Sequence, residues 1–318
     1  KGEAANSGRA HGKVWLIKAP PQINLNPVRA NISFKFAITP LALVFLFAGC
    51  GTESSQPESS QSTTPLTAGP TLSTSPNFQH FEKSHFGFFR PAGSYPYVSE
   101  LGVHWQRPHP GPFVWGSIEK TKGTYDWNQV DQYVRDSQDN QVLITATIWP
   151  YADWDQQQCH EKLPGSPLRF LPALGDYRGK PCDPDAYRLF VTALVERYDG
   201  DGIDDMPGLN YPIKYWEAIN EPEPTTGTPF FIGDPQDSDY LEVLKTTSLA
   251  VKAADPDARV LNGGIAMPEG DKKVFWESVL GEGSRFIDVL TVHSVPANDV
   301  FNLVSLGSLM SELNLKKP

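Results

Sequence analysis

Residues 213–224 read IKYWEAINEPEP, a short apolar and aromatic run that stops abruptly at Asn220, Glu221 and Pro222. The run has the length and the β-branched and aromatic residues that are typical of a buried strand. A carboxylate at the end of a buried strand is costly unless it is paired or used. Two interpretations follow: Pro222 simply ends a strand at a turn, or Glu221 has a chemical task.

Strand-like runs alternate with helix-like stretches from residue 79 onward. Strands are predicted at residues 85–89, 102–107, 142–149, 213–220, 259–264 and 287–293. Helices are predicted near residues 127–138, 186–199, 238–254, 273–280 and 300–314, with Ser238 available as the N-cap of the third. This alternation indicates βα units and a parallel sheet.

Two architectures fit such a series, an open doubly wound sheet and a (β/α)₈ TIM barrel. No glycine-rich nucleotide-binding motif follows any predicted strand. Polar and aromatic residues instead gather at strand C-termini, where a barrel places its active site: Arg107, Trp149, Asn220, Glu221 and His293. We therefore expect an α/β fold of the (β/α)₈ TIM-barrel class. With about six βα units visible, the barrel is expected to be incomplete, strands 7 and 8 being absent.

Four segments carry a resemblance to a known clan. WEAINEPE (216–223) resembles the W-E-x-x-N-E-P segment of retaining glycoside hydrolases built on (β/α)₈ barrels, which include β-xylosidase-like, cellulase-like and β-galactosidase-like families. LGVHWQRPH (101–109), KGTYDWNQVDQYV (122–134) and DVLTVHS (288–294) are similar to segments of the same clan, in the same order. The resemblance covers residues 85–318.

The resemblance implies roles for four strand-end residues. Glu221 takes the part of the acid/base that protonates the leaving oxygen and later activates water. Asn220 corresponds to the residue that hydrogen-bonds the sugar 2-OH, and His293 to one that lines the bound sugar. Arg107 would orient the nucleophile and hold it electrostatically. Two structural alternatives stay open, since Arg107 could pair with Glu217 and His293 could be a hydrogen-bonded histidine at the barrel rim.

The loop after the third predicted strand contains three aromatic residues, Trp149, Tyr151 and Trp154. Aromatic faces suit the apolar faces of sugar rings, and Trp149 is predicted to contact substrate. Core packing is the alternative for all three. Glu223 is expected to lie in a solvated loop.

The position of the second carboxylate decides what this chain can do by itself. In the resembled clan the nucleophilic Glu ends strand seven, and a Lys-Pro such as 317–318 commonly leads into that strand. The only carboxylates that follow His293 in this sequence are Asp299 and Glu312, and neither is expected to substitute for the nucleophile. We expect a retaining glycoside hydrolase acting on O-glycosidic bonds of a plant or microbial oligo- or polysaccharide. Its nucleophile would lie beyond Pro318, so residues 79–318 alone are expected to be inactive.

Two other classes of function remain as alternatives. One is a non-catalytic, surface-tethered carbohydrate-binding protein on an enzyme-derived barrel. The other is a metal-dependent barrel hydrolase, but His104 and His109 show no metal-ligand spacing. No cofactor or metal ion is expected. The net charge of −10 argues against a nucleic-acid partner.

The N-terminal part reads as an export signal and a tether. Residues 28–50 contain a short apolar run that ends at Cys50 and resembles a bacterial lipoprotein signal, in which that cysteine is lipidated. Residues 1–27 are interpreted as an upstream or non-native segment. Residues 51–78 are rich in Ser, Thr and Pro and predict a disordered tether before the barrel at 79–318. These features predict a bacterial cell-envelope lipoprotein or a secreted protein that meets the membrane only through its lipid.

Two further cysteines, Cys159 and Cys182, lie in a loop-like stretch. An exported compartment permits a disulfide, which would staple this loop. Two unpaired thiols are the alternative, and a metal site is disfavoured because only His160 lies nearby.

Overall fold

The computed structural model describes residues 84, 86–89, 95, 98, 101–163, 171–225, 229–293 and 302–318. All of them belong to one compact unit, Leu66–Pro318. The predicted signal (28–50) and nearly all of the region before the first strand, including the tether, lie outside the described residues. Within the described part of the chain, no helix has both the length and the apolar character needed to cross a membrane.

Five parallel strands form one sheet in the order β1-β2-β3-β4-β5. They are β1 (Gly87–Phe89), β2 (Trp105–Arg107), β3 (Leu143–Ile148), β4 (Tyr215–Ala218) and β5 (Arg259–Leu261). Each falls inside a predicted strand. The sixth predicted strand, 287–293, is represented by two parallel bridges, from Leu261 to Val289 and from Ile265 to Val292.

Helices follow the strands. They are α1 (Trp115–Ile118), α2 (Asn128–Asp139), α3 (Asp153–Gln156), α4 (Pro184–Glu196), α5 (Gln236–Ala254), α6 (Asp271–Gly283) and α7 (Asn302–Glu312), with 3₁₀ turns at Pro172–Leu174 and Ser284–Phe286. The five longer helices match the five predicted ones. The predicted cap of α5 is wrong, because this helix begins at Gln236, with Pro235 at the N-cap position and Ser238 already in its first turn.

The order of the described strands explains why the sheet belongs to a barrel. Consecutive strands are neighbours with no reversal, whereas a doubly wound sheet changes direction at a switch point. Five of the six residues of β3 are buried, as in a sheet with both faces covered. Trp216 of β4 is fully buried within the core that the helices share. Because all the described strands are parallel, their carboxyl ends lie at one edge of the sheet.

Candidate active site

A cleft of about 540 Å³ opens at the carboxyl ends of the strands. Its lining consists of Phe89, Arg107, His109, Asn220, Glu221, Phe230, Val292 and His293. Four of the five residues that the sequence placed at strand ends therefore meet here, from segments that are far apart in the chain. This is the edge at which a barrel of parallel strands assembles its catalytic residues.

The backbone just after β4 is strained. Ile219 has φ 67° and Glu221 has φ 45°, in the left-handed region that β-branched residues rarely enter. The opposing loop approaches so closely that a Cβ on Gly263 would lie 2.7 Å from the carbonyl oxygen of Ala218. Such outliers persist only where the surrounding structure imposes them, and they cluster at functional sites. This turn directs Glu221 into the cleft.

Glu221 is paired with His293 across the cleft. The Nδ1–H of His293 donates to Oε1 of Glu221 at 2.6 Å, and the side chains are 23% and 29% exposed. Burial by itself would raise the pKa of Glu221. The hydrogen bond from His293 and the positive charges of His293, His109 and Arg107 outweigh burial, so the net pKa lies below its ordinary value. The described cleft therefore favours a carboxylate at this position.

His293 is held in place by backbone contacts on both sides. Its N–H donates to the carbonyl of Ile265 at 2.8 Å, and its own carbonyl accepts from the Asn302 side chain at 2.6 Å. Its ring lies directly over Gly264, where an added Cβ would collide with the imidazole. The glycine thus makes room for the ring that reaches Glu221.

Arg107 connects the cleft to a buried carboxylate. It donates to Oε2 of Glu217 through Nε at 2.9 Å and Nη2 at 2.5 Å, and Nη2 also donates to Oδ1 of Asn220 at 2.6 Å. Glu217 is 1% exposed and accepts a further hydrogen bond from Thr147 at 2.6 Å. The ion pair considered as a structural alternative is therefore present, and Arg107 lines the cleft as well.

Trp149 does not contact the cleft. It is fully buried, its indole N–H donates to the carbonyl of Pro110 at 2.7 Å, and its ring packs against His109, Tyr151 and Phe230. The expectation that Trp149 touches substrate is corrected accordingly, because no face of its ring is open to a ligand. It supports the cleft wall from behind.

Three aromatic side chains form the wall that sequence reasoning missed. Phe89 is 60% exposed and stacks on His109 with ring centroids 5.5 Å apart, and His109 meets Phe230 edge-on at the same distance. Phe89 ends β1 as Arg107 ends β2, so the strand-end rule could have found it. Phe230 lies in the long loop after β4, where no local pattern marks it.

Glu221 is the one carboxylate among the described residues that line the cleft. Glu312 forms a surface ion pair with Lys273 at 2.7 Å, and Asp299 lies outside the described residues. Glu223, expected in solvent, is 2% exposed. One oxygen of Glu223 accepts from two backbone N–H groups, of Ala266 and Met267, and burial raises its pKa.

Among the described residues, two groups of side chains of the kinds that can bind a metal ion lie close together, and neither group lines the cleft. In one group Glu196 is the last residue of α4 and Asp199 and Asp201 follow it, and burial raises the pKa of Asp199 to about 7. The other group is His160 with Cys159 and Cys182, but these cysteines form a disulfide with Cα atoms 5.8 Å apart.

Comparison with solved structures identifies the fold. A GH39 β-xylosidase from Caulobacter crescentus is similar with a TM-score of 0.52 and 18% identity, over 80% of this chain and 53% of that one. A monomeric β-xylosidase from Caulobacter crescentus CB15 has a TM-score of 0.50 and 18% identity, over 73% of this chain and 49% of that one. A glucosidase from Croceicoccus marinus has a TM-score of 0.42 and 18% identity, over 62% of this chain and 39% of that one.

This chain thus spans about half the length of the two β-xylosidases and about two fifths of the glucosidase. No protein-family profile and no curated protein sequence matches it. At such low identity the likeness shows the fold alone, which is the α/β fold of the TIM-barrel class. What the cleft does must be argued from its own residues.

Proposed function

We propose that this protein is a retaining glycoside hydrolase that acts on O-glycosidic bonds of a plant or microbial oligo- or polysaccharide, with Glu221 as the acid/base. One observation carries the proposal: Glu221 projects from the strained end of β4 into a cleft between hydrogen-bonding and aromatic walls. Sugar rings have hydroxyl edges and apolar C–H faces, so the two walls complement them.

The residues of the cleft divide the chemistry among them. Glu221 would protonate the leaving oxygen as the glycosidic bond breaks, and in the second step would take a proton from the attacking water. Asn220, held through its Oδ1 by Arg107, would donate to the sugar 2-OH, a contact that strengthens in the oxocarbenium-like transition state. His293 would line the sugar, and Phe89 and Phe230 would meet its apolar face.

The lowered pKa of Glu221 sets a condition on this mechanism. A general acid must hold its proton in the first step, whereas the described cleft favours the ionised form. A carboxylate nucleophile about 5–5.5 Å away, as the retaining mechanism needs, would raise the pKa of Glu221 by like-charge repulsion. The proposal therefore includes such a group opposite Glu221.

The same lowered pKa favours a second candidate, a non-catalytic carbohydrate-binding protein. An ionised Glu221, which the lowered pKa favours, accepts hydrogen bonds from sugar hydroxyls and has no proton to give to a leaving group. Such a protein would bind oligosaccharides in the same cleft without cleaving them. Turnover separates the two candidates.

For the cellular setting we propose export to the bacterial cell envelope, with Cys50 lipidated and residues 51–78 as the tether. The disulfide between Cys159 and Cys182 supports this, because such bonds persist mainly in oxidising compartments.

Replacement of the acid/base tests the main proposal. In a protein that contains the proposed nucleophile, Glu221→Gln should lower turnover by about 10²–10⁴-fold on substrates with poor leaving groups and much less on activated aryl glycosides, which need no protonation. Glu223→Gln is the matched control, since Glu223 lies two residues further on and outside the cleft lining. Equal, modest losses on both substrate types would refute the role of Glu221. Binding of oligosaccharide without any turnover, in a protein that also contains a carboxylate opposite Glu221, would favour the second candidate.

A further inference from the structure

Glu217 occupies an unusual position behind the cleft. It lies on β4, four residues before Glu221, and it is absent from the described lining of the cleft. Its buried carboxylate is nonetheless well satisfied. Oε2 accepts from Arg107 Nε, Arg107 Nη2 and Thr147 Oγ1, and Oε1 accepts from the Gly264 N–H at 3.4 Å. A buried charge with this many partners is held in one orientation.

Arg107 passes that orientation on to Asn220. Its Nη2 donates both to Oε2 of Glu217 at 2.5 Å and to Oδ1 of Asn220 at 2.6 Å. A side-chain amide has an acceptor on its oxygen and donors on its nitrogen. Since Arg107 engages the oxygen of Asn220, the amide nitrogen is the atom left to donate to a ligand.

Glu217 also sets the charge balance at Glu221. The positive charge of Arg107 is one of the influences that lower the pKa of Glu221, together with His293 and His109. The anionic partner of Arg107 offsets part of that influence. Loss of the Glu217 charge would expose Glu221 to the full field of the guanidinium.

We propose that Glu217 is a positioning residue that acts through Arg107, fixing the Asn220 amide as a hydrogen-bond donor to the sugar and shielding Glu221 from the arginine charge. This inference rests on the proposed function for its catalytic readout. A purely structural ion pair would stabilise the barrel without affecting either property. The two consequences, one on sugar recognition and one on Glu221, are measured independently.

The chain contains a matched ion pair for comparison. Asp131 accepts from Arg197 Nε at 2.8 Å and Arg197 Nη2 at 2.6 Å, and also from Tyr198. Asp131 is 7% exposed, on α2, and outside the cleft lining. Asp131→Asn therefore breaks an equivalent pair and controls for a general loss of stability.

The first measurement is kinetic and uses a protein that contains the proposed nucleophile. The ratio of kcat/KM for an aryl glycoside to that for its 2-deoxy counterpart should fall at least tenfold in Glu217→Gln and remain unchanged in Asp131→Asn. If Glu217→Gln does not fold, Thr147→Val removes one donor to Glu217 and keeps the charge. It should lower the same ratio and leave the pKa of Glu221 in place. An unchanged ratio in the Glu217 or Thr147 variant would overturn the positioning role.

The second measurement needs no turnover. Carboxyl ¹³C NMR titration of the full chain, with Glu221 assigned from the Glu221→Gln spectrum, should show that the Glu221 pKa is lower in Glu217→Gln. The Glu221 pKa should be unchanged in Asp131→Asn. No change in Glu217→Gln would overturn the shielding. A protein that contains the proposed nucleophile and still cleaves no glycoside would refute the proposed function, and the titration would then decide the role of Glu217.

Discussion

At the scale of single residues, the cleft is a balance of charges around Glu221. Three positive groups, on Arg107, His109 and His293, lower the pKa of Glu221 against the opposing effect of burial. His293 is the largest of these influences, because it adds a direct hydrogen bond to its charge. The state of this one carboxyl therefore depends on side chains from two separate segments: Arg107 and His109 at the end of β2, and His293 after the sixth predicted strand.

Removal of His293 should reveal this balance as a pH-dependent stability. Because the folded pKa of Glu221 lies below its ordinary 4.5, the pairing stabilises the protein above that pH. The stabilisation disappears as pH falls through the folded pKa. His293→Ala should therefore cost about 1 kcal/mol at pH 6 and less at pH 3, as both partners are partly exposed.

Urea unfolding at the two pH values measures this difference. His104→Ala is the control, because the His104 ring bonds the carbonyl of Gln141, away from the described lining of the cleft. A deficit of the same size at both pH values would show that His293 contributes by packing and not through Glu221.

At the scale of elements, the close approach of the loop after β5 fixes the geometry of the site. Gly264 has no side chain, and its place against the His293 ring leaves no room for one. Gly264→Ala should displace the ring from Glu221 and so raise the Glu221 pKa, with every charged group still present. We expect a loss of turnover of about tenfold or more from the misplaced histidine.

NMR titration of Glu221 and steady-state kinetics test this substitution together. Gly281→Ala on α6 is the control, since nothing lies within 4 Å of the added Cβ there. A Gly264→Ala variant that keeps both the original pKa and the original turnover would show that the loop relaxes around the methyl group.

The elements also show how far the sequence could be read. Periodicity is a local property, so the five longer helices and the five strands were predicted close to their positions. α1 and α3 were missed, because four residues are too few to show a helical period. Ser238 failed as a cap because a residue with capping chemistry also fits the first turn of a helix.

The site was predictable where it depends on strand ends. Arg107, Asn220, Glu221 and His293 follow from the rule that parallel strands bring their carboxyl ends together. The burial of Trp149 was not predictable, because its exposure depends on loops from other parts of the chain that cover it. The burial of Trp149 depends on tertiary packing, which the local sequence does not predict.

At the scale of the whole molecule, the disulfide joins residues 23 positions apart in the long loop after β3. A cross-link over a loop of this size typically stabilises a protein by about 3 kcal/mol, mainly by restricting the unfolded chain. The loop has a second fixing point, because Asp155 accepts from the N–H groups of Cys182 and Asp183 at 2.8 and 2.9 Å. Local structure should therefore survive loss of the bond.

The double variant Cys159→Ala/Cys182→Ala should lose about 3 kcal/mol of unfolding free energy and keep its turnover. Urea unfolding with and without reductant measures the loss, and reductant should affect only the unmodified protein. A protein purified from an oxidising compartment whose two thiols are both fully alkylated without reduction would contradict the bridge.

The last prediction concerns Cys50 and the tether. If residues 51–78 form the tether that the sequence predicts, a flexible chain of that length would span roughly 30 Å on average, enough to hold a barrel clear of a membrane surface. With a lipid on Cys50, the tether would separate the barrel from the membrane, so that substrate could reach the cleft without obstruction from the bilayer. Expression in a bacterial host with metabolic fatty-acid labelling should yield labelled protein.

Label should disappear in Cys50→Ser and persist in the Cys159→Ala/Cys182→Ala variant, because the latter two cysteines are bonded to each other and not available for acylation. The lipid is expected to act only as an anchor, so Cys50→Ser should be released in soluble form with its turnover intact. Retention of label in Cys50→Ser would place the lipid elsewhere and refute the anchor.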